Sequence, residues 1–241
     1  MLRRFVLSLC VLLLPAVVCA QQPESSSSAR DFDFGSLLKE TQQSAIEPGY
    51  AGLVWWIPTE YWEISMERSG VPEEKARQRY APLRKYTVVA VAVGKVGIGN
   101  INWFSEPDIR DNVRLRDSDG NMYPPVQKLT GDAEGLVVVL KAVFGNMLGT
   151  MGQNIQLLFF SATNKMAKPI ADPVSTGEFS VIVSKIIEGK DKSFSWKLPL
   201  TALSPPKYCP VGKERLQANW KYCPWHGVKV DEPVGTGAGP K

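Results

Sequence analysis

Leu53-Val54-Trp55-Trp56-Ile57 and, further along, Tyr86-Thr87-Val88-Val89-Ala90-Val91-Ala92-Val93 are the two runs that decide the fold. In an extended chain successive side chains point to opposite faces, which puts Leu53, Trp55 and Ile57 on one face and Val54 and Trp56 on the other. Both faces are apolar. A strand of that kind is central in its sheet or packed between layers. The Val-rich run over 86–93 reads as a second strand of the same kind.

The chain between these strands reads as a helical pair inserted over 59–85. Thr59 suits an N-cap, and Gly70 stands in the stop position of the helix that follows it. Pro72 at N1, with Glu73 and Glu74 in the first turn, starts a second helix that Pro82 ends. Ala76 and Tyr80 share its inner face. Upstream, Phe34, Leu37, Leu38 and Ala45 recur at helical spacing within 31–45, and Pro48-Gly49 closes that short helix. Downstream, strands are expected over 98–104, 112–116, 122–126, 155–160, 179–184 and 194–198. Asp117-Ser118-Asp119-Gly120-Asn121 forms a hairpin turn between two of them, and its Asp-Gly suits positive φ. The apolar run 136–140 is expected as a buried element that continues as a short helix through Met147. Strands outnumber helices, and short loops favour antiparallel pairing. The expected class is α+β, mostly β: an antiparallel sheet or β-sandwich-like domain over 31–203 with the helical pair inserted, plus a small C-terminal unit over 207–228. Ser204-Pro205-Pro206 marks the boundary, and no internal repeat stands out. Residues 229–241, glycine-rich at their end, are expected to be disordered.

The start of the chain carries its own signal. Arg3 and Arg4 precede an apolar run from Phe5 to Val18, and Val18-Cys19-Ala20 meets the small-residue rule for signal peptidase. Residues 1–20 are therefore expected to be a cleaved signal peptide, with 21–30 a flexible Ser-rich linker behind it. The product is periplasmic or secreted, and the short Leu-rich design fits a bacterial source. Its membrane contact is the transient signal or, less favoured, lipidation at Cys19, where the preceding Val18 is a poor match. The chain carries a net charge of +4, and cleavage would remove Arg3 and Arg4 from that balance. Such near-neutrality argues against a nucleic-acid partner, which needs a clustered basic face. The cluster Lys75, Arg77, Arg79, Arg84 and Lys85 lies beside Glu73 and Glu74 and reads as a solvated helix face.

Of the four cysteines, Cys10 and Cys19 leave with the signal, so Cys209 and Cys223 remain. Two cysteines in an oxidising compartment read as one disulfide, which closing a short loop makes worth roughly 3 kcal/mol. Tyr208-Cys209-Pro210-Val211-Gly212-Lys213 and Trp220-Lys221-Tyr222-Cys223-Pro224-Trp225-His226-Gly227 surround this pair. Over 208–227 the sequence resembles a degenerate zinc ribbon of the double-zinc-ribbon type, whose knuckles read Cys-Pro-x-Cys-Gly with a Trp before the second. The resemblance implies that Cys209, Cys223 and His226 would be zinc ligands. It also implies a small docking module. The second Cys of the first knuckle is missing, as if deleted between Val211 and Gly212. Three ligands do not close a structural zinc site, so the metal is the alternative to the disulfide and no cofactor is otherwise called for. Trp220, Tyr222 and Trp225 are the expected aromatic anchors for a partner.

Catalytic patterns are sparse. His226 is the sole histidine, which makes a Ser-His-Asp triad improbable. Asp117 to Asn121 fails as a calcium loop, because Leu115 and Val126 fall where oxygen ligands are required. The glycines over 94–99 match neither phosphate-binding spacing. Trp55, Trp56 and Trp62 beside Glu60, Glu63 and Glu67 could bind sugar, with paired carboxylates as acid and base. The expectation is an exported, non-enzymatic envelope protein with a binding or structural role, its partner a protein or glycan of the envelope. The alternatives are a carbohydrate-binding or glycoside-hydrolysing protein using Trp55, Trp56, Trp62 and Glu63, and a metal-binding docking tail.

Overall fold

The structure is a computed structural model and describes residues 34–230. The expected signal peptide, linker and Cys19 lie outside the described residues, as does 231–241 of the expected disordered end. In chain order the elements are α1 (Phe34–Thr41), β1 (Gln42–Ser44), β2 (Tyr50–Ile57), α2 (Thr59–Arg68), α3 (Glu73–Tyr80), a 3₁₀ turn (Ala81–Lys85), β3 (Tyr86–Val96), β4 (Ile101–Trp103), α4 (Glu106–Asn112), β5 (Val113–Arg116) and β6 (Met122–Tyr123). There follow α5 (Gly131–Gln153), β7 (Gln156–Ser161), β8 (Gly177–Ile187), β9 (Lys190–Leu198), a 3₁₀ turn (Thr201–Leu203), β10 (Lys207–Tyr208) and β11 (Arg215–Leu216). The fold is α+β and mostly β, with every sheet antiparallel.

β3 is the spine of a five-stranded sheet. One edge, from Val88 to Lys95, pairs with the whole of β2, and the other is shared by β7 and β4. The second sheet runs β6-β5-β8-β9. Val88 to Val93 and Val54 to Ile57 are buried throughout, as two-sided strands require. The aromatic contacts show what covers each face of β2. Trp56 meets Phe179 of β8 at 4.8 Å and Trp196 of β9 at 6.3 Å between centroids, so its face packs on the second sheet. Trp55 turns the other way, to Tyr61 of α2 at 5.1 Å and Phe144 of α5 at 5.4 Å. The five-stranded sheet is thus a middle layer between helices and a second sheet.

Thr41 ties these layers together at the end of α1. Its buried hydroxyl accepts from Trp55 Nε1 at 3.1 Å and donates to the Leu37 carbonyl, while its own carbonyl accepts from Trp196 Nε1 at 3.1 Å. Two buried indoles are thereby satisfied by one threonine. Trp62 Nε1, by contrast, is buried without a partner.

The inserted helical pair forms, but each helix begins differently from the expectation: Pro58 and not Thr59 is the N-cap of α2, Pro72 is the N-cap of α3 and not its N1 residue, and neither helix has a side-chain cap. Residues 42–44, expected as the end of a helix, instead form edge strand β1 on β2. The hairpin turn closes on Asp117, whose carboxylate accepts from the backbone of Asp119 and Asn121 and from the Tyr123 hydroxyl at 2.6 Å. Burial works to raise the Asp117 pKa, but donors from Tyr123 and Asn121 outweigh it and hold the group below its ordinary value. The same bond pushes Tyr123 up to about 12.

The largest departure is α5. Its apolar run was expected to be buried, yet only 17% of its most apolar stretch is covered. It is a helix long and apolar enough to cross a membrane by length and composition. Leu140 and Phe144 face the core, whereas Val138, Val139, Val143 and Met147 are exposed. Gly149, at φ 54°, breaks the helix near its end.

Candidate metal centre

The tail folds as two hairpins with one pattern. Lys207-Tyr208-Cys209-Pro210-Val211-Gly212-Lys213-Glu214-Arg215-Leu216 aligns in register with Lys221-Tyr222-Cys223-Pro224-Trp225-His226-Gly227-Val228-Lys229-Val230. In each, the Cys N–H donates to the carbonyl five residues on: Cys209 to Glu214 at 2.9 Å and Cys223 to Val228 at 2.8 Å. In each, the N–H four residues on donates back to the Cys carbonyl: Lys213 at 3.0 Å and Gly227 at 2.8 Å. That residue is left-handed both times, with φ 63° at Lys213 and 64° at Gly227. Tyr208 pairs with Arg215, as Tyr222 does with Lys229. The chain therefore does contain a repeat, and the tail unit runs to Val230, since Lys229 and Val230 close the second hairpin.

This register corrects the reading of the first knuckle. Nothing is deleted between Val211 and Gly212; Gly212 occupies the position that His226 holds in the second knuckle. Having no side chain, it leaves that space open, and Glu214 fills it from two residues away. A methyl group built on Gly212 would fall among the Glu214 carboxyl atoms. Glu214 is the fourth ligand candidate that sequence reasoning missed. The signal that could have found it was the Lys-Tyr-Cys-Pro repeat, which aligns a glycine with a ligand.

Cys209, Glu214, Cys223 and His226 bring one donor atom each to within 4.8 Å of one another. His226 Nδ1 lies 3.4 Å from Cys209 Sγ, 3.5 Å from Cys223 Sγ and 3.9 Å from a Glu214 carboxylate oxygen. Zinc bonds of about 2.3 Å to sulfur and about 2.05 Å to nitrogen, at a tetrahedral angle, separate the two donors by about 3.5 Å. The two nitrogen–sulfur distances match that separation, and the donor types are ones that zinc accepts. The Gly212 N–H donates to Cys209 Sγ at 3.4 Å, the outer contact that steadies a thiolate. Cys209 and Cys223, the pair expected as a disulfide, stand here as separate buried thiols, with the His226 imidazole nitrogen within reach of both sulfurs.

A cross-link at this point would reinforce a small core. The tail's own core consists of Cys209, Leu216, Cys223 and Val230, with Trp220 and Val228 packed against it. A core so small cannot offset the chain entropy of folding alone. Lys207 joins the hairpins by donating to the Trp220 carbonyl at 2.7 Å. The Ala218 N–H donates to Thr201 Oγ1 at 3.1 Å, fastening the tail to the main domain.

Of the three expected anchors, Tyr222 and Trp225 are 59% and 63% exposed. Trp220 is half-buried, edge to face with Trp225 at 5.8 Å. The sugar-binding group fails on burial. Trp55, Trp56 and Trp62 are 0%, 1% and 5% exposed, so none offers a face to a ligand. Glu63 is buried too, and Arg84 holds both its oxygens at 2.6 and 2.8 Å. Burial raises the Glu60 pKa, against the pull of its own backbone N–H and of Arg84. These carboxylates form an ion-paired clamp between α2 and the 3₁₀ turn at 81–85, not an acid–base pair across a cleft.

Comparison with known protein families, with curated proteins and with solved structures finds no match for this chain. The functional reading therefore rests on the geometry of the tail.

Proposed function

We propose that this chain is an exported, non-enzymatic envelope protein whose C-terminal unit is a zinc-held docking module. The observation that carries the reading is the convergence of Cys209, Glu214, Cys223 and His226 on one point. Four protein donors close a tetrahedral site and leave no position for substrate, which favours a structural over a catalytic metal. When bound, zinc supplies the cross-link that the small tail core lacks, and its binding energy becomes folding energy of the unit. Around it the two hairpins display Tyr208, Tyr222 and Trp225, side chains of the kind that anchor partners. The apolar run at 5–18 and the Val18-Cys19-Ala20 site support export.

The test is native mass spectrometry of the purified chain with thiol alkylation. One zinc per chain, with Cys209 and Cys223 protected until a chelator is added, is expected. A mass two hydrogens short, with no metal and no alkylation, would make the tail a disulfide staple and sink the zinc reading.

A further inference from the structure

Resting on that reading, we propose that the knuckle unit docks on an anionic lipid bilayer surface. Lys213, Arg215, Lys221 and Lys229 are exposed. The single acid within 207–230 is Glu214, and its carboxylate is drawn into the ligand cluster. Within 207–230 the exposed charges are therefore cations, apart from the one carboxylate drawn into the ligand cluster, on a chain whose total charge is modest. Its apolar groups follow the same two-fold pattern. Each hairpin sets an exposed tyrosine opposite a cation, Tyr208 by Arg215 and Tyr222 by Lys229. Each carries an exposed apolar residue two places after its cysteine: Val211 at 59% and Trp225 at 63%.

Tyrosine and tryptophan favour the headgroup level, aliphatic tips enter the acyl boundary, and lysine and arginine meet anionic lipid. A nucleic acid would use every ring as a stacking platform, and Val211 at one tip offers none. An acidic peptide would satisfy the cations but would leave both apolar tips in water. An anionic bilayer takes the cations and the tips together.

The experiment is co-sedimentation of the zinc-loaded full chain with vesicles of phosphatidylcholine, alone or mixed equally with phosphatidylglycerol. The quantity read is binding in excess of that to neutral vesicles, so any contribution of the apolar run at 5–18 common to both is removed. An excess that falls with salt is expected. Arg215→Gln, Lys221→Gln and Lys229→Gln should each lower it about fivefold, the loss of one cation at an anionic surface. Trp225→Ser should lower it at unchanged charge, and all four variants should keep their zinc. No excess, or an excess indifferent to these substitutions, overturns the proposal; so does loss of binding to a single-stranded oligonucleotide or to polyglutamate with vesicle binding unchanged. A chain that takes no zinc yet shows the Lys229-sensitive excess would refute the zinc reading and leave this one standing.

Discussion

Gly212→Ala separates the position of the fourth donor from its identity. The added methyl would fall among the Glu214 carboxyl atoms, so the carboxylate must leave the cluster while all four ligand residues stay in the sequence. Gly212 does not have positive φ, so alanine brings no backbone strain, and Glu214 is exposed enough to swing into solvent. The main domain should therefore keep its stability to within about 0.5 kcal/mol, as for an ordinary surface change. Zinc affinity should not survive as well. Disturbing even an outer-shell partner costs 10–100-fold, and losing a direct donor belongs at or beyond the upper end, about 100-fold. That is about 3 kcal/mol of binding. Gly212→Cys makes the complementary test, because it places a thiolate at the position equivalent to His226 and should restore affinity. Competition against a chromophoric zinc chelator measures both. Unchanged affinity in Gly212→Ala, together with unchanged affinity in Glu214→Gln, would refute Glu214 as a ligand and with it the four-donor site.

Three further outcomes concern the main domain. Thr41→Val removes the acceptor of the buried Trp55 indole and should cost about 1–3 kcal/mol in chemical denaturation, the desolvation cost of a stranded donor. Arg84→Ala leaves Glu60 and Glu63 without their shared cation; because Arg84 is itself half exposed, solvent screening holds the expected loss to about 1–2 kcal/mol, and adding Glu63→Gln should recover part of it. Tyr123→Phe should change two ends of the pH profile of thermal unfolding. Tyr123 is raised to about 12, so its stabilisation is complete below its ordinary value near 10 and is lost as pH rises through 12; the variant should lack that alkaline loss. Asp117 is lowered, so its contribution is present above the ordinary carboxylate range and disappears on acidification; without the Tyr123 donor that acid loss should be smaller and complete at higher pH.

What could be read from the sequence follows the strength of local physics. Leu53 to Ile57 and Tyr86 to Val93 announced buried strands because both faces of each were apolar, and Pro72 with Glu73 and Glu74 announced a helix. Gln42 to Ser44 could not announce an edge strand, since three polar residues become one only by pairing with β2. The composition of α5 suggested burial, yet composition does not say how much of the molecule is available to cover a helix. The tryptophans and glutamates at 55–67 were ambiguous for a similar reason. Whether Trp62 lines a cleft or stacks on Tyr80, as it does at 6.0 Å, depends on a helix packing that no local pattern encodes. Glu214 was hidden because ligand motifs are read by residue type at fixed spacing, and here the spacing belongs to Gly212.

The two knuckles show how the proposed site can form with a glycine at 212 where the second knuckle has His226. Each hairpin is held by the same backbone bonds, Cys N–H to the fifth carbonyl and the fourth N–H to the Cys carbonyl. Those bonds do not depend on what stands between. The hairpin therefore keeps its shape with histidine at position 226 or glycine at position 212, and it keeps aiming the space above that position at the paired sulfurs. Any flexible donor on the same strand can then fill the space, and Glu214 lies two residues along, on the side chain face that reaches back over Gly212. The equivalent residue in the second knuckle is Val228, half-buried in the small tail core, where His226 already stands as the candidate ligand. Exchanging the roles, with Gly212→His and Glu214→Val, should therefore give a second knuckle-like hairpin in the first position. Such a chain should bind zinc at least as tightly as the natural one; weaker binding would mean that the carboxylate is favoured for its charge, and that its substitution for a ring nitrogen is not a matter of reach alone.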